Sequence, residues 1–280
     1  MIPEYKILKE YPELVKYVID FFASKATNPN VYKQIREVCK NNKSLEYSQS
    51  RKLFLDLGYF HKTDVILFGV KTRKDNLIDN CIFGFSYIAE KYRNSVFKIE
   101  VEKYEGVINI GTGFLYYTKD LIITAKHVVQ AKDTIIIKSI LDIDNNLIDF
   151  DRDKIRIFPD NDIAFIPLTS NYEAEGLYPG IEFDILDDVI TLEYPKVSTT
   201  KAAYLVAHRG EINSKVENYW GNQLLLFSAK TSPGSSGSPI INRMGLFVGV
   251  VSENLYRKEA SEDHLHIPYH AGIPSSTFIK

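Results

Sequence analysis

Disulfide chemistry is nearly closed to this chain. Its 280 residues contain two cysteines, Cys39 and Cys81, both in the first third. Without an export signal these are expected to remain free thiols. No apolar run approaches the ~18 residues of a membrane-spanning helix, so no membrane association is expected. The opening Met1-Ile2-Pro3-Glu4-Tyr5-Lys6 lacks the charged-then-apolar pattern of a secretory signal, and a cytoplasmic location is expected. Charge of one sign is also missing. The chain carries 34 Lys+Arg against 36 Asp+Glu, a formal net charge of -2. That balance excludes the electrostatic footprint of a nucleic-acid or anionic-membrane binder. What is present is ordinary globular composition, 45% hydrophobic and 25% charged, in a length that suits one large domain or two smaller ones. No internal repeat or low-complexity tract occurs.

The hydrophobic pattern changes along the chain. Up to about residue 90 it has a helical period. Helices are expected over 13–22, over 31–39 with Asn30 as a cap after Pro29, over 44–57, and over 77–92, where Leu77, Ile78, Ile82, Phe85 and Ile88 recur at three and four. Gly84 interrupts the last of these. After about residue 94 short β-like runs follow one another: 96–101, 114–117, 121–123, 134–137, 163–166, 224–227 and 246–251. Many short strands without intervening helices imply a barrel or sandwich. The expected organisation is a helical region over 1–93, either a separate domain or an extension packed on the rest, followed by a mainly β domain over 94–280.

The most informative stretch is Thr231-Ser232-Pro233-Gly234-Ser235-Ser236-Gly237-Ser238-Pro239, just before the apolar run Gly245 to Val251. A glycine-bounded loop can hold a serine hydroxyl exposed beside backbone N–H groups turned toward one point. Acyl transfer needs that arrangement, because the oxyanion it generates must meet preset donors. A plain β-turn is the simpler explanation of such a loop, so partners are required. Of the six histidines, His127 suits a general base: it follows the strand-like Leu121-Ile122-Ile123-Thr124-Ala125, and a strand end is a rigid platform. Asp162 suits the orienting carboxylate, since it leads into the apolar Ile163-Ala164-Phe165-Ile166 and toward a partly buried position.

Taken in order, Gly111-Thr112-Gly113-Phe114, Thr124-Ala125-Lys126-His127-Val128-Val129, Asp162-Ile163-Ala164-Phe165-Ile166-Pro167-Leu168 and Pro233-Gly234-Ser235-Ser236-Gly237-Ser238-Pro239 resemble the successive motifs of chymotrypsin-like (trypsin-fold) serine proteases. The resemblance covers roughly residues 94–280 and is closest to bacterial, disulfide-free members. It implies two six-stranded antiparallel β-barrels preceded by the helical region, no cofactor, no metal, and a protein or peptide substrate. It also implies Ser236 as nucleophile, His127 as general base and acid, Asp162 as orienting carboxylate, and the N–H groups of Gly234 and Ser236 as the oxyanion hole. Ser238 departs from the second glycine common in vertebrate members. Ser235 stands where secreted zymogens carry an aspartate that captures a newly cut N-terminal amine, so activation by that ion pair is not expected.

The same resemblance places Lys230 and Thr231 at the primary pocket, and Ser252 and Asn254 along the edge that pairs with substrate backbone. Lys230 is read as facing solvent, with recognition of an acidic side chain as the alternative. His264, His266 and His270 lack a helical ligand spacing and are read as loop or pocket lining rather than a metal site. The leading expectation is an intracellular serine endopeptidase acting through an acyl-enzyme, regulated through residues 1–93 by a protein partner, in bacterial defence or signalling. The competing expectation is a catalytically silent module that binds peptides by strand addition.

Overall fold

A computed structural model describes residues 77–252, apart from Glu182 and Ser198, and residues 270–279. The helices expected over 13–22, 31–39 and 44–57, together with Asn254, His264 and His266, lie outside the described residues. The chain divides into two compact units, Met1–Ile88 and Ala89–Lys280. The described part of the first is the beginning of helix α1 (Leu77–Tyr92), broken at Gly84, whose φ of 70° leaves the helical region. The expected helix is therefore present, with the kink at the glycine that interrupts its pattern.

The second unit is built of antiparallel strands. Strand β1 (Val96–Tyr104) pairs along its length with β2 (Val107–Leu115) and on its other side with β6 (Ile137–Leu141). Phe97, Ile99 and Val101, spaced by two, enter the first core, while Lys98 and Glu100 between them pair with each other at 3.8 Å. Strands β3 (Leu121–Thr124), β7 (Arg156–Phe158) and β8 (Ile163–Pro167) complete a six-stranded sheet of order β6-β1-β2-β3-β8-β7. Between β3 and β6 lie the short helix α2 (Lys126–Val129) and the two-residue strands β4 (Gln130–Ala131) and β5 (Thr134–Ile135). Among the described residues β6 and β7 do not pair as strands. Their side of the sheet is spanned instead by Arg152, whose guanidinium donates to the carbonyls of Ile135 and Ile137.

The second sheet is a closed barrel of order β10-β11-β14-β13-β12-β9. Its strands are β9 (Asp188–Glu193), β10 (Val206–Glu217), β11 (Gln223–Phe227), β12 (Pro239–Asn242), β13 (Phe247–Val251) and β14 (His270–Pro274). Its core gathers Val189, Ile212, Leu225, Phe227, Ile240 and Val248. The expected double six-stranded β architecture is the observed one, with closure by strand pairing in the second sheet. Strand β10 is not evident from the sequence. Its Ala207-His208-Arg209-Gly210-Glu211 lacks apolar alternation because most of the strand is at least partly exposed, and Ile212 is its fully buried side chain. Pairing with β9 and β11 fixes it instead.

Candidate active site

Three connections converge where the two sheets meet: the β3–α2 turn, the β7–β8 turn and the β11–β12 loop. Asp162 staples the first two together. Its carbonyl accepts from Lys126 N at 3.1 Å, its Oδ1 accepts from His127 N at 3.0 Å, and its Oδ2 lies 2.7 Å from His127 Nδ1. A carboxylate only accepts, so Nδ1 carries the proton and Nε2 is left with a free lone pair in the neutral ring. Ser252, directly after β13, donates to the same Oδ2 at 2.5 Å. The Asp162 carboxylate is thus largely withdrawn from water and satisfied by three donors.

The serine loop is held from the first sheet. Thr112 of β2 donates its N–H to the Ser236 carbonyl at 2.9 Å and its hydroxyl to the Gly234 carbonyl at 2.7 Å. The same hydroxyl accepts from Tyr194 N at 3.0 Å, and the Thr112 carbonyl accepts from the Thr124 hydroxyl at 2.6 Å. Within the loop, Ser235 is fully buried and closes a turn: its N–H donates to the Ser232 carbonyl and its hydroxyl accepts from Ser232 N, both at 2.9 Å. Gly234 and Gly237 have φ of 105° and 88°. A Cβ on Gly237 would collide with the Thr112 carbonyl and the Thr124 hydroxyl, and one on Gly234 with the Tyr194 carbonyl. The close approach of loop and sheet therefore depends on both glycines. Pro233 offers its carbonyl to Lys196 N at 2.7 Å. Among the described residues the N–H groups of Gly234 and Ser236 have no protein acceptor, and the Ser236 hydroxyl, in a residue 3% exposed, has no hydrogen-bond partner.

A cleft of about 370 Å³ runs beside His127 and Asp162, lined also by Ser252, Trp220, Leu224 and Ile273. Thr231 sits partly buried with its Oγ1 2.7 Å from His270 Nδ1, so one of the three late histidines joins the expected pocket wall. Lys230 is exposed. Burial, and after it the Lys230 ammonium, hold the His208 imidazole below its ordinary pKa. The buried Glu193 side chain lies 3.5 Å from its Nε2. No metal-binding cluster of His, Cys, Asp or Glu occurs among the described residues. Ser252, expected only along the substrate edge, also bonds Asp162 across 90 positions of chain. Trp220 escapes the sequence reading, because it belongs to a polar turn with no catalytic motif to mark it.

Two six-stranded antiparallel sheets, with a glycine-rich serine loop at their junction, define the chymotrypsin-like class. A family model for the trypsin-like peptidase domain matches residues 111–250, and the chain belongs to that family: it is a serine endopeptidase, a hydrolase. Solved structures agree on the fold. The active form of the Rv3671c protease from M. tuberculosis superposes with a TM-score of 0.52 at 18% identity, over 67% of this chain and 79% of that one. The HtrA-type protease AlgW, solved with a tripeptide, gives a TM-score of 0.53 at 14% identity, over 69% of this chain and 60% of that one. A search of curated proteins finds no match.

Proposed function

We propose that the chain cleaves peptide bonds through Ser236, His127 and Asp162, by way of an acyl-enzyme. The observation that carries this reading is the 2.7 Å contact between His127 Nδ1 and Asp162 Oδ2, which leaves Nε2 as the basic nitrogen. In the reaction, Ser236 Oγ attacks the scissile carbonyl as His127 Nε2 takes its proton. The carbonyl oxygen becomes an oxyanion and accepts from the N–H groups of Gly234 and Ser236, for which no acceptor among the described residues competes. The C–N bond then breaks, and the leaving amine takes the proton from His127. Water deprotonated by His127 attacks the ester, and Ser236 recovers its proton on release of the acid. Asp162 fixes the tautomer and stabilises the imidazolium. Lys230, Thr231, Ser252 and Asn254 bind the substrate, with Thr231 and its partner His270 on the pocket wall.

No activating cut of the chain is required, the site being either preformed or ordered by another part of the chain. Ser235 is uncharged, buried and already bonded to Ser232, so it has no group to capture a freed amine. Peptide hydrolysis by the uncut chain tests this, and activity that arises only after a cut near residue 94 contradicts it. Residues 1–93 serve as a helical regulatory segment that engages a protein partner in the cytoplasm, in bacterial defence or signalling. Their helical period in the sequence supports that role. A chain beginning near Arg93 that keeps both its activity and its partners would contradict it.

Covalent labelling by a fluorophosphonate probe tests the central reading. Label on Ser236 of the wild type, lost in Ser236→Ala, supports it. A folded preparation that never labels, yet binds peptides, would instead fit a silent binding module.

A further inference from the structure

Tyr194 follows the last residue of β9, in the second barrel, yet two of its hydrogen bonds reach the first sheet. Its N–H donates to the Thr112 hydroxyl at 3.0 Å, and its own hydroxyl donates to the Val96 carbonyl at 3.4 Å. The side chain is buried, and burial, then Asp142 and Tyr172, push the phenol well above its usual pKa, so it stays a donor. On its third side Tyr194 meets the serine loop. A Cβ on Gly234 would lie 2.4 Å from the Tyr194 carbonyl oxygen. Two residues on, Lys196 N donates to the Pro233 carbonyl at 2.7 Å. In a planar trans peptide the N–H points opposite to the C=O. That bond therefore turns the Gly234 N–H away from Lys196, to the side where it meets no acceptor among the described residues.

Val96, at the other end of this strut, opens β1 directly after α1 and a single 3-10 turn, Arg93–Ser95. The last turn of α1 belongs to the second unit and is latched there. Lys91, its side chain 6% exposed, pairs with Glu175 at 3.1 Å, and Tyr92 is buried. The buried Ser95 hydroxyl donates to the Glu175 carbonyl at 2.6 Å. Glu175 lies on the chain that joins the two sheets, between β8 and β9.

We propose that Tyr194 is a positioning residue for the oxyanion hole, through which the connection between α1 and β1 governs the reactivity of Ser236. The inference rests on the protease reading of that site. With its hydroxyl on Val96, its N–H on Thr112 and its carbonyl against Gly234, Tyr194 cannot shift without disturbing the Pro233–Gly234 peptide. A partner that pulls on α1 reaches the hole by way of Ser95, Val96 and Tyr194, a continuous run of bonded and packed groups. Coupling between two sites is reciprocal, so occupation of the hole resists that pull in return.

A double-mutant cycle on the full chain tests the link. Tyr194→Phe keeps the ring and removes the bond to Val96, and Ser95→Ala removes the bond to Glu175. Each change alone should lower kcat about fivefold, with KM within about twofold of the wild type. The double variant should fall no further than either single one, because both cut the same connection. A purely structural part for Tyr194 would lower the melting temperature and leave kcat alone. Unchanged kcat in Tyr194→Phe, or losses that multiply in the double variant, would overturn the proposal. A second arm needs no turnover. In a Ser236→Ala background, hydrogen exchange at the backbone amides between Thr231 and Ser238 should quicken in both Tyr194→Phe and Ser95→Ala, relative to the amides of β13. Unchanged exchange there would overturn the proposal even if Ser236 of the wild type takes a fluorophosphonate normally. Quickened exchange in a protein whose Ser236 never labels would uphold the link while removing the protease reading.

Discussion

Ser252 and His127 share one oxygen: Asp162 Oδ2 accepts from the Ser252 hydroxyl at 2.5 Å and lies 2.7 Å from His127 Nδ1. The carboxylate is thereby held from two sides, and Oδ1 is occupied by the His127 N–H. Hydrogen bonds to a charged group contribute roughly 1.5–3 kcal/mol. Ser252→Ala removes one of three donors and lets the carboxylate rotate away from the imidazole. A fall of about tenfold or more in kcat/KM is expected, with most of it in kcat, together with a melting temperature lower by several degrees. An unchanged kcat would show that the shared oxygen does not orient the base.

Thr112 ties the serine loop to the first sheet. Its hydroxyl donates to the Gly234 carbonyl and accepts from the buried Tyr194 N–H. Thr112→Val keeps the shape and removes both bonds. The orphaned N–H costs about 1–3 kcal/mol. Thermal unfolding should move to lower temperature, and kcat should fall because Gly234 loses the bond that sets its peptide plane. Loss of stability without loss of kcat would mean that the loop is set by its remaining bonds, including the one from Thr112 N to the Ser236 carbonyl.

His208 is held neutral by burial and then by Lys230, with its pKa below the ordinary 6.5. The unfolded chain therefore binds this proton more readily than the fold does. The stability that follows is fully present above pH 6.5 and is lost as pH falls through the lower, folded value. His208→Gln cannot take up the proton, so its melting temperature should decline less than the wild type's on acidification. Parallel declines, measured by thermal unfolding across that range, would contradict this.

The parts of the site that the sequence reveals are those held by local rules. Gly234 and Gly237 mark a loop with positive φ, His127 follows a strand whose four residues are all buried, and Asp162 introduces another buried strand. Apolar period exposed β1, β3, β8 and β13 for the same reason. Contacts between distant segments leave no such mark. The Ser252 bond to Asp162, the Thr112 bridge to the serine loop and the Thr231–His270 pair all join residues far apart in the chain. Strand β10 is hidden because its neighbours rather than its own alternation fix it.

The most direct test of the whole account is the site of covalent capture. A fluorophosphonate should add to the intact chain on Ser236, and Ser236→Ala should lose both the label and peptide hydrolysis. Label on another residue, or hydrolysis undiminished in Ser236→Ala, would contradict the assignment of Ser236 as nucleophile.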